Sequence, residues 1–303
     1  MTANHLVIRP GKLNLPSIRR RYFGVDSTGC ENPVKQKSPS LLLTGLHTMG
    51  LDAALAAAAW QRVVIASGGS SIEDRTEAST AALFFAVWGI YLLDRLWDGQ
   101  RSTGELLTKR HRFAARHPLL IGLFATVALL FSVFFALRGL SLREWKSCLL
   151  IGGLCLCYYL ARWLDSEWEK GRAASIGIVF ALGILLPVAV HHTANPRFWM
   201  LFLGLTGLLI SNARLCMEAE SCTGKPGVMT KISGVFWLLA LSAISFSLIS
   251  SHFPMASLCG ITSILGTMAL VIYWKFLDPE LLVALADMIL FLPPLLLWVF
   301  GGS

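Results

Sequence analysis

Charge is what this chain has least of. Asp, Glu, Lys and Arg make up 15% of its 303 residues, against about 25% in an ordinary soluble domain. With 55% hydrophobic residues and a mean hydropathy of +0.62, that composition excludes an ordinary soluble domain and points to a polytopic membrane protein. The chain also lacks a CxxC pair and any His at zinc spacing. Its seven cysteines, such as Cys148, Cys155, Cys216 and Cys259, lie mostly in or beside apolar runs and read as buried thiols. The first forty residues contain no apolar core with a small-residue cleavage site after it, which argues against a cleaved secretory signal. No internal repeat is visible, which argues against a transporter built from inverted halves.

What the chain has is long apolar runs. A spanning helix needs about 20 mostly apolar residues, and nine candidates fit: 46–66, 80–96, 119–137, 147–164, 173–190, 198–214, 232–249, 256–274 and 281–300. The first is the most diluted, by Asp52, Gln61 and Arg62, and reads as partly amphipathic with its polar groups facing other helices. In the fifth, Gly177 and Gly183 would let a neighbouring backbone come close. The expected fold is therefore an all-α, polytopic membrane helical bundle of about nine transmembrane helices over 41–303, preceded by a disordered basic tail, 1–40.

The net charge of +8 is a topology signal rather than a sign of nucleic-acid binding. With the N-terminus inside, 20 Lys and Arg fall on the cytoplasmic side and five on the other, Arg62 being left inside the first span. The N-terminus is thus expected in the cytoplasm and the C-terminus on the opposite side. An integral protein of the bacterial inner membrane is the expected location, from the compact loops.

The motif-like residues gather in loops on the cytoplasmic side. In "YLLDRLWDGQR", Asp94 and Asp98 are four apart and share one helical face. Paired carboxylates suit Mg²⁺, which one or two carboxylates and substrate phosphates usually hold together. Arg95, Arg101, Arg112 and Arg116 in the same region are suited to gripping a diphosphate. The plain alternative is a positive-inside loop whose acids offset some of its charge. In "SNARLCMEAE", Asn212, Cys216 and Glu220 share a face if the helix continues. If it stops near Met217, Glu218 and Glu220 can both turn toward a site. A solvated polar helix end explains that stretch equally well.

"IYLLDRLWD" followed by "RHRFAARHP" resembles the first Asp-rich signature of the UbiA superfamily of intramembrane prenyltransferases, approximately NDxxDxxxD and then RxxxRP. Asp94 and Asp98 match its spaced aspartates, and Arg112 and Arg116 match its arginines, with His117 inserted before Pro118. Ile90 and Tyr91 stand at the leading Asn–Asp places. "MEAESCTG" is similar to the second signature, DxxDIEGDxxxG. Glu218, Glu220 and Gly224 match, while Ala213 and Cys216 stand where aspartates are expected. The resemblance covers roughly 46–300.

It implies Mg²⁺-dependent transfer of a prenyl group from a prenyl diphosphate to an unidentified hydrophobic acceptor, within the membrane lipid. Asp94, Asp98 and Glu220 would be catalytic; Asp94, Asp98, Glu218, Glu220 and Asn212 would hold the metal. Arg95, Arg101, Arg112 and Arg116 would bind diphosphate, joined by Lys170 and Arg172 from a stretch similar to the family's fifth span. Trp60, Trp88, Trp163, Tyr158 and Tyr159 are candidate liners of the cavity, although anchoring at the membrane interface is the commoner job of aromatics at span ends. The other reading is a non-catalytic UbiA-like protein that binds an isoprenoid or a partner. Asp287, well inside the ninth span, is costly there and would orient an acceptor, pair with Arg62 or serve helix packing.

Overall fold

The structure, a computed structural model, describes residues 49–68, 76–101, 109–164, 171–192, 195–220, 228–274, 277 and 279–300. The expected basic tail, 1–40, lies outside the described residues. Every regular element among them is helical: α1 (Leu51–Gly68), α2 (Thr76–Arg101), α3 (Lys109–Arg116), α4 (Pro118–Gly139), α5 (Leu142–Leu164), α6 (Arg172–His192), α7 (Pro196–Glu220), α8 (Val228–Ile249), α9 (Pro254–Tyr273) and α10 (Pro279–Phe300).

Each expected span coincides with one long helix, and six of these, α2, α4, α6, α7, α9 and α10, are long and apolar enough to cross a membrane. Of the rest, α5 opens on the polar run "LREWKS" and α1 carries Asp52, Gln61 and Arg62, while Gly234–Ile249, the part of α8 with described side chains, is a shorter apolar stretch. Helix α3, "KRHRFAAR", forms within the stretch expected to be a loop; its Phe113 and Ala114 pack toward Leu92 and Ile121. Helix α5 starts on a capping box, Glu144 Oε2 accepting the Ser141 amide at 2.6 Å and Ser141 Oγ accepting the Glu144 amide at 3.3 Å.

Helix α1 is more deeply packed than its composition suggests, with Gln61 facing α6 as expected of its polar groups. It sits at the centre, against α2, α6, α9 and α10, with Ala54, Ala59, Trp60 and Val64 fully buried. Its alanines keep hydropathy low and also let four neighbours approach, so the same residues that weaken the apolar signal create the packing. Outside this core, α4 lies on α2 through Phe85, whose ring stacks on Phe131 and Phe135 at 5.2 and 5.7 Å. Its other face exposes Leu119, Leu123, Leu130 and Leu137, an outward apolar surface of the kind lipid covers.

Three prolines lie inside helices, Pro187 in α6 and Pro293 and Pro294 in α10. Each removes the amide that the carbonyl four residues earlier would have accepted from. Those carbonyls are Gly183, Ile289 and Leu290, and each takes a side-chain donor from a neighbouring helix instead. Gln61 Nε2 donates to Gly183 at 3.2 Å, Ser263 Oγ to Ile289 at 3.0 Å and Trp60 Nε1 to Leu290 at 2.9 Å. In an apolar surround, a freed carbonyl needs such a partner. Two of these three donors belong to α1, so the prolines that break the ladders also pin α1 between α6 and α10.

Candidate functional site

A cavity of about 170 Å³ is lined by α1, α2, α5, α6, α7 and α10. For scale, an engineered cavity of about 150 Å³ holds a benzene ring. The cytoplasm-facing ends expected from sequence, those of α2 and α5, the start of α6 and the end of α7, converge on it. Its body is apolar, with Trp60, Ile176, Phe180, Ile184, Leu209 and Leu290 on the walls. Polar groups stand at two places.

The first is built on α2. Asp94 lines the cavity, and Asp98 lies one turn on, as the four-residue spacing requires. Arg172, the first residue of α6, joins them: its Nη2 is 2.5 Å from Asp94 Oδ2 and 2.8 Å from Asp98 Oδ2. All three side chains are about 85% buried, so two acids and one guanidinium leave a formal charge of −1. Arg95, which is buried, donates to the Tyr91 hydroxyl and lies 4.6 Å from the centroid of that ring. Tyr159 donates its hydroxyl to the Ile90 carbonyl at 3.1 Å, tying α5 to the same turn of α2.

The second polar place is on α7 and α10. Asn212 Nδ2 donates to Asp287 Oδ1 at 3.3 Å, and Cys216 Sγ lies 3.9 Å from the same oxygen. Because α7 is continuous to Glu220, Asn212 and Cys216 share its cavity face. Glu218 points away and does not line the cavity, so the alternative in which the helix stops near Met217 is not what forms. Asp287 does not pair with Arg62. That arginine is 3.5 Å from Glu77 and lies 5.5 Å from the centroid of the Trp298 ring.

Of the residues singled out from sequence, Asp94, Arg95, Arg172 and Asn212 line the cavity, and Asp98 joins through Arg172. Arg116 is exposed at the end of α3. The side chains of Arg101, Arg112, Lys170 and Glu220 lie outside the described residues. Trp60, Tyr158 and Tyr159 are liners as expected. Trp88 instead donates to the Met49 carbonyl at 3.0 Å, and the Trp163 side chain lies outside the described residues. Asp52, also on the wall, carried no motif; only its place in a low-charge helix could have drawn attention to it.

Among the described side chains, the donor chemistry that fits Mg²⁺ best is on α2. Among the described residues no cluster of three or more His, Cys, Asp or Glu could hold a metal ion. The pair Asp94 and Asp98 nevertheless matches the protein's usual share of a magnesium site, with phosphate oxygens supplying the rest. On α7, Cys216 is a soft donor unsuited to that ion, and Asn212 offers only its amide oxygen, its Nδ2 being held by Asp287. In comparisons with known proteins, no family model, curated protein or solved structure matched the chain.

Proposed function

We propose that the chain is an intramembrane prenyltransferase of the UbiA kind, binding a prenyl diphosphate at the Asp94–Asp98–Arg172 end of the cavity and transferring the prenyl group to an apolar acceptor. One observation carries this reading. Two carboxylates one turn apart are held, with buried guanidinium groups, at the edge of a cavity whose body is apolar. An amphiphile with a charged head and a hydrocarbon tail is the ligand such a division suits.

Asp94 and Asp98 would hold Mg²⁺, which when bound supplies positive charge to a departing diphosphate. Arg172 and Arg95 add donors to the anion's oxygens, and Arg172 must leave at least one carboxylate as it turns to the ligand. Trp60, Tyr158 and Tyr159 line the cavity in which positive charge would develop in the prenyl chain, and an aromatic face turned to that charge would stabilise it. The apolar walls keep water from competing with the acceptor. On this reading all nine long helices span, the N-terminus is cytoplasmic, and the protein belongs to the bacterial inner membrane.

The test is Mg²⁺-dependent binding of farnesyl and geranylgeranyl diphosphates to purified protein. Wild type is expected to bind only with Mg²⁺, and Asp94→Ala and Asp98→Ala to lose binding. Equal binding by all three, with or without the ion, would sink the metal-site reading.

A second reading, an isoprenoid-binding protein without chemistry, is favoured by one contact: Arg172 already neutralises much of the acidic pair. It expects farnesol to bind as tightly as the diphosphate, with neither Mg²⁺ nor Asp94→Ala mattering.

A further inference from the structure

The wall formed by α7 and α10 carries an unmet acceptor. Asn212 is only 7% exposed. Its Nδ2 donates to Asp287 Oδ1 at 3.3 Å, which leaves the amide oxygen as the atom still to be met. That leaves Asn212 Oδ1 buried with no hydrogen-bond partner among the described residues, on a residue that lines the cavity. Buried acceptors in native proteins are rarely left so, and each calls for a donor.

We infer that this wall is a subsite for the hydroxyl group of an uncharged, otherwise apolar ligand. The ligand's O–H donates to Asn212 Oδ1, and its hydrocarbon part lies against Leu209, Leu290 and Trp60, which line the same cavity. Asp287 holds the amide in place and is a positioning residue. The same geometry rejects competing chemistries. A carboxylate or phosphate would set negative charge beside Asp287, and an ether or ketone brings only acceptors, leaving Oδ1 unmet. In the stretch that resembles a metal signature, Asn212 thus serves recognition of a neutral group. Calling that hydroxyl compound the prenyl acceptor rests on the proposed function; its binding does not.

Aliphatic alcohols and phenols share the required donor, so both are tested. Binding of decanol and of para-pentylphenol, each beside its own methyl ether, is measured by equilibrium dialysis against detergent-solubilised protein. Wild type is expected to prefer at least one hydroxyl compound to its ether by about tenfold, the scale of one neutral hydrogen bond. The favoured pair identifies the class. Asn212→Leu is expected to bind hydroxyl and ether alike, and Asp287→Leu, which releases the amide, to lose most of the preference.

Equal binding of hydroxyl and ether by wild type in both pairs overturns the subsite, and this comparison needs no variant to fold. A preference that survives in Asn212→Leu overturns it as well. Farnesyl diphosphate binding measured on the same preparations separates the two readings. If wild type shows the hydroxyl preference but no Mg²⁺-dependent diphosphate binding, the transferase reading fails and the subsite stands. The reverse result removes the subsite alone.

Discussion

Arg172 on α6 reaches Asp94 on α2 across 78 positions of chain, Nη2 to Oδ2, at 2.5 Å, and the same nitrogen holds Asp98 at 2.8 Å. This contact closes the polar end of the cavity. Removing one partner of a buried charge pair leaves the other uncompensated and costs about 3–5 kcal/mol. Arg172→Ala is expected to lower the melting temperature in detergent, and Asp94→Asn combined with Arg172→Gln to recover part of that loss. In the diphosphate assay Arg172→Ala is expected to weaken binding by about tenfold or more, one charge-assisted hydrogen bond. Tighter binding would instead mark Arg172 as a competitor of the ligand.

The proline-freed carbonyls make a prediction that no list of contacts would. Ser263→Ala leaves the Ile289 carbonyl unmet and is expected to cost about 1–3 kcal/mol. Pro293→Ala returns an amide four residues along, to the same carbonyl. The double variant Ser263→Ala/Pro293→Ala is therefore expected to be more stable than Ser263→Ala alone. Thermal unfolding of the three proteins in one detergent checks it; strict additivity of the two losses would show that Ser263 and Pro293 are not coupled through Ile289.

At Gly177 the α6–α7 contact leaves no room for a side chain. A Cβ there would lie 2.5 Å from Ile210 Cγ1 and 3.0 Å from the Ile210 backbone nitrogen, and backbone cannot move aside as a flexible side chain can. Gly177→Val is expected to destabilise by about 1–3 kcal/mol or more and, because α7 carries Asn212, to disturb the cavity. Gly152→Ala on α5 meets nothing within 4 Å and should leave the melting temperature unchanged or slightly raised. Similar losses in both would mean that helix packing at Gly177 is looser than described.

Each of these features was legible in the sequence to a different depth. Runs of Leu, Ile, Val and Phe locate the long helices, because hydropathy is a local property. Asp94 and Asp98 could be put on one face because a four-residue spacing is local too. Arg172 could be named only through the resemblance, since nothing local says which acid it meets 74 and 78 positions away. Helix α1 was undervalued for a physical reason: hydropathy counts transfer from water, while Ala54 and Ala59 contribute by letting helices approach. The role of Asp287 was open because its partners, Asn212 and Cys216, lie more than 70 positions off. Pro187 and the Pro293–Pro294 pair gave no hint of the donors that answer them, since those donors come from α1 and α9.

Cys216 offers the sharpest test of the α7 wall. It stands where the resembling signature would carry an aspartate, and its Sγ is 3.9 Å from Asp287 Oδ1. A carboxylate placed there faces another at close range in an apolar cavity, where like charges repel strongly and one is driven to bind a proton or a cation. Cys216→Asp is therefore expected to melt lower than wild type in EDTA, and Mg²⁺ is expected to return much of that stability. Cys216→Ser, which adds no charge, should melt near wild type and gain nothing from the ion. The measurement is a set of melting curves with and without Mg²⁺. A Cys216→Asp protein as stable as wild type in EDTA would mean that the two groups do not face each other. A loss that Mg²⁺ leaves untouched would mean that they do, in a place this ion does not reach.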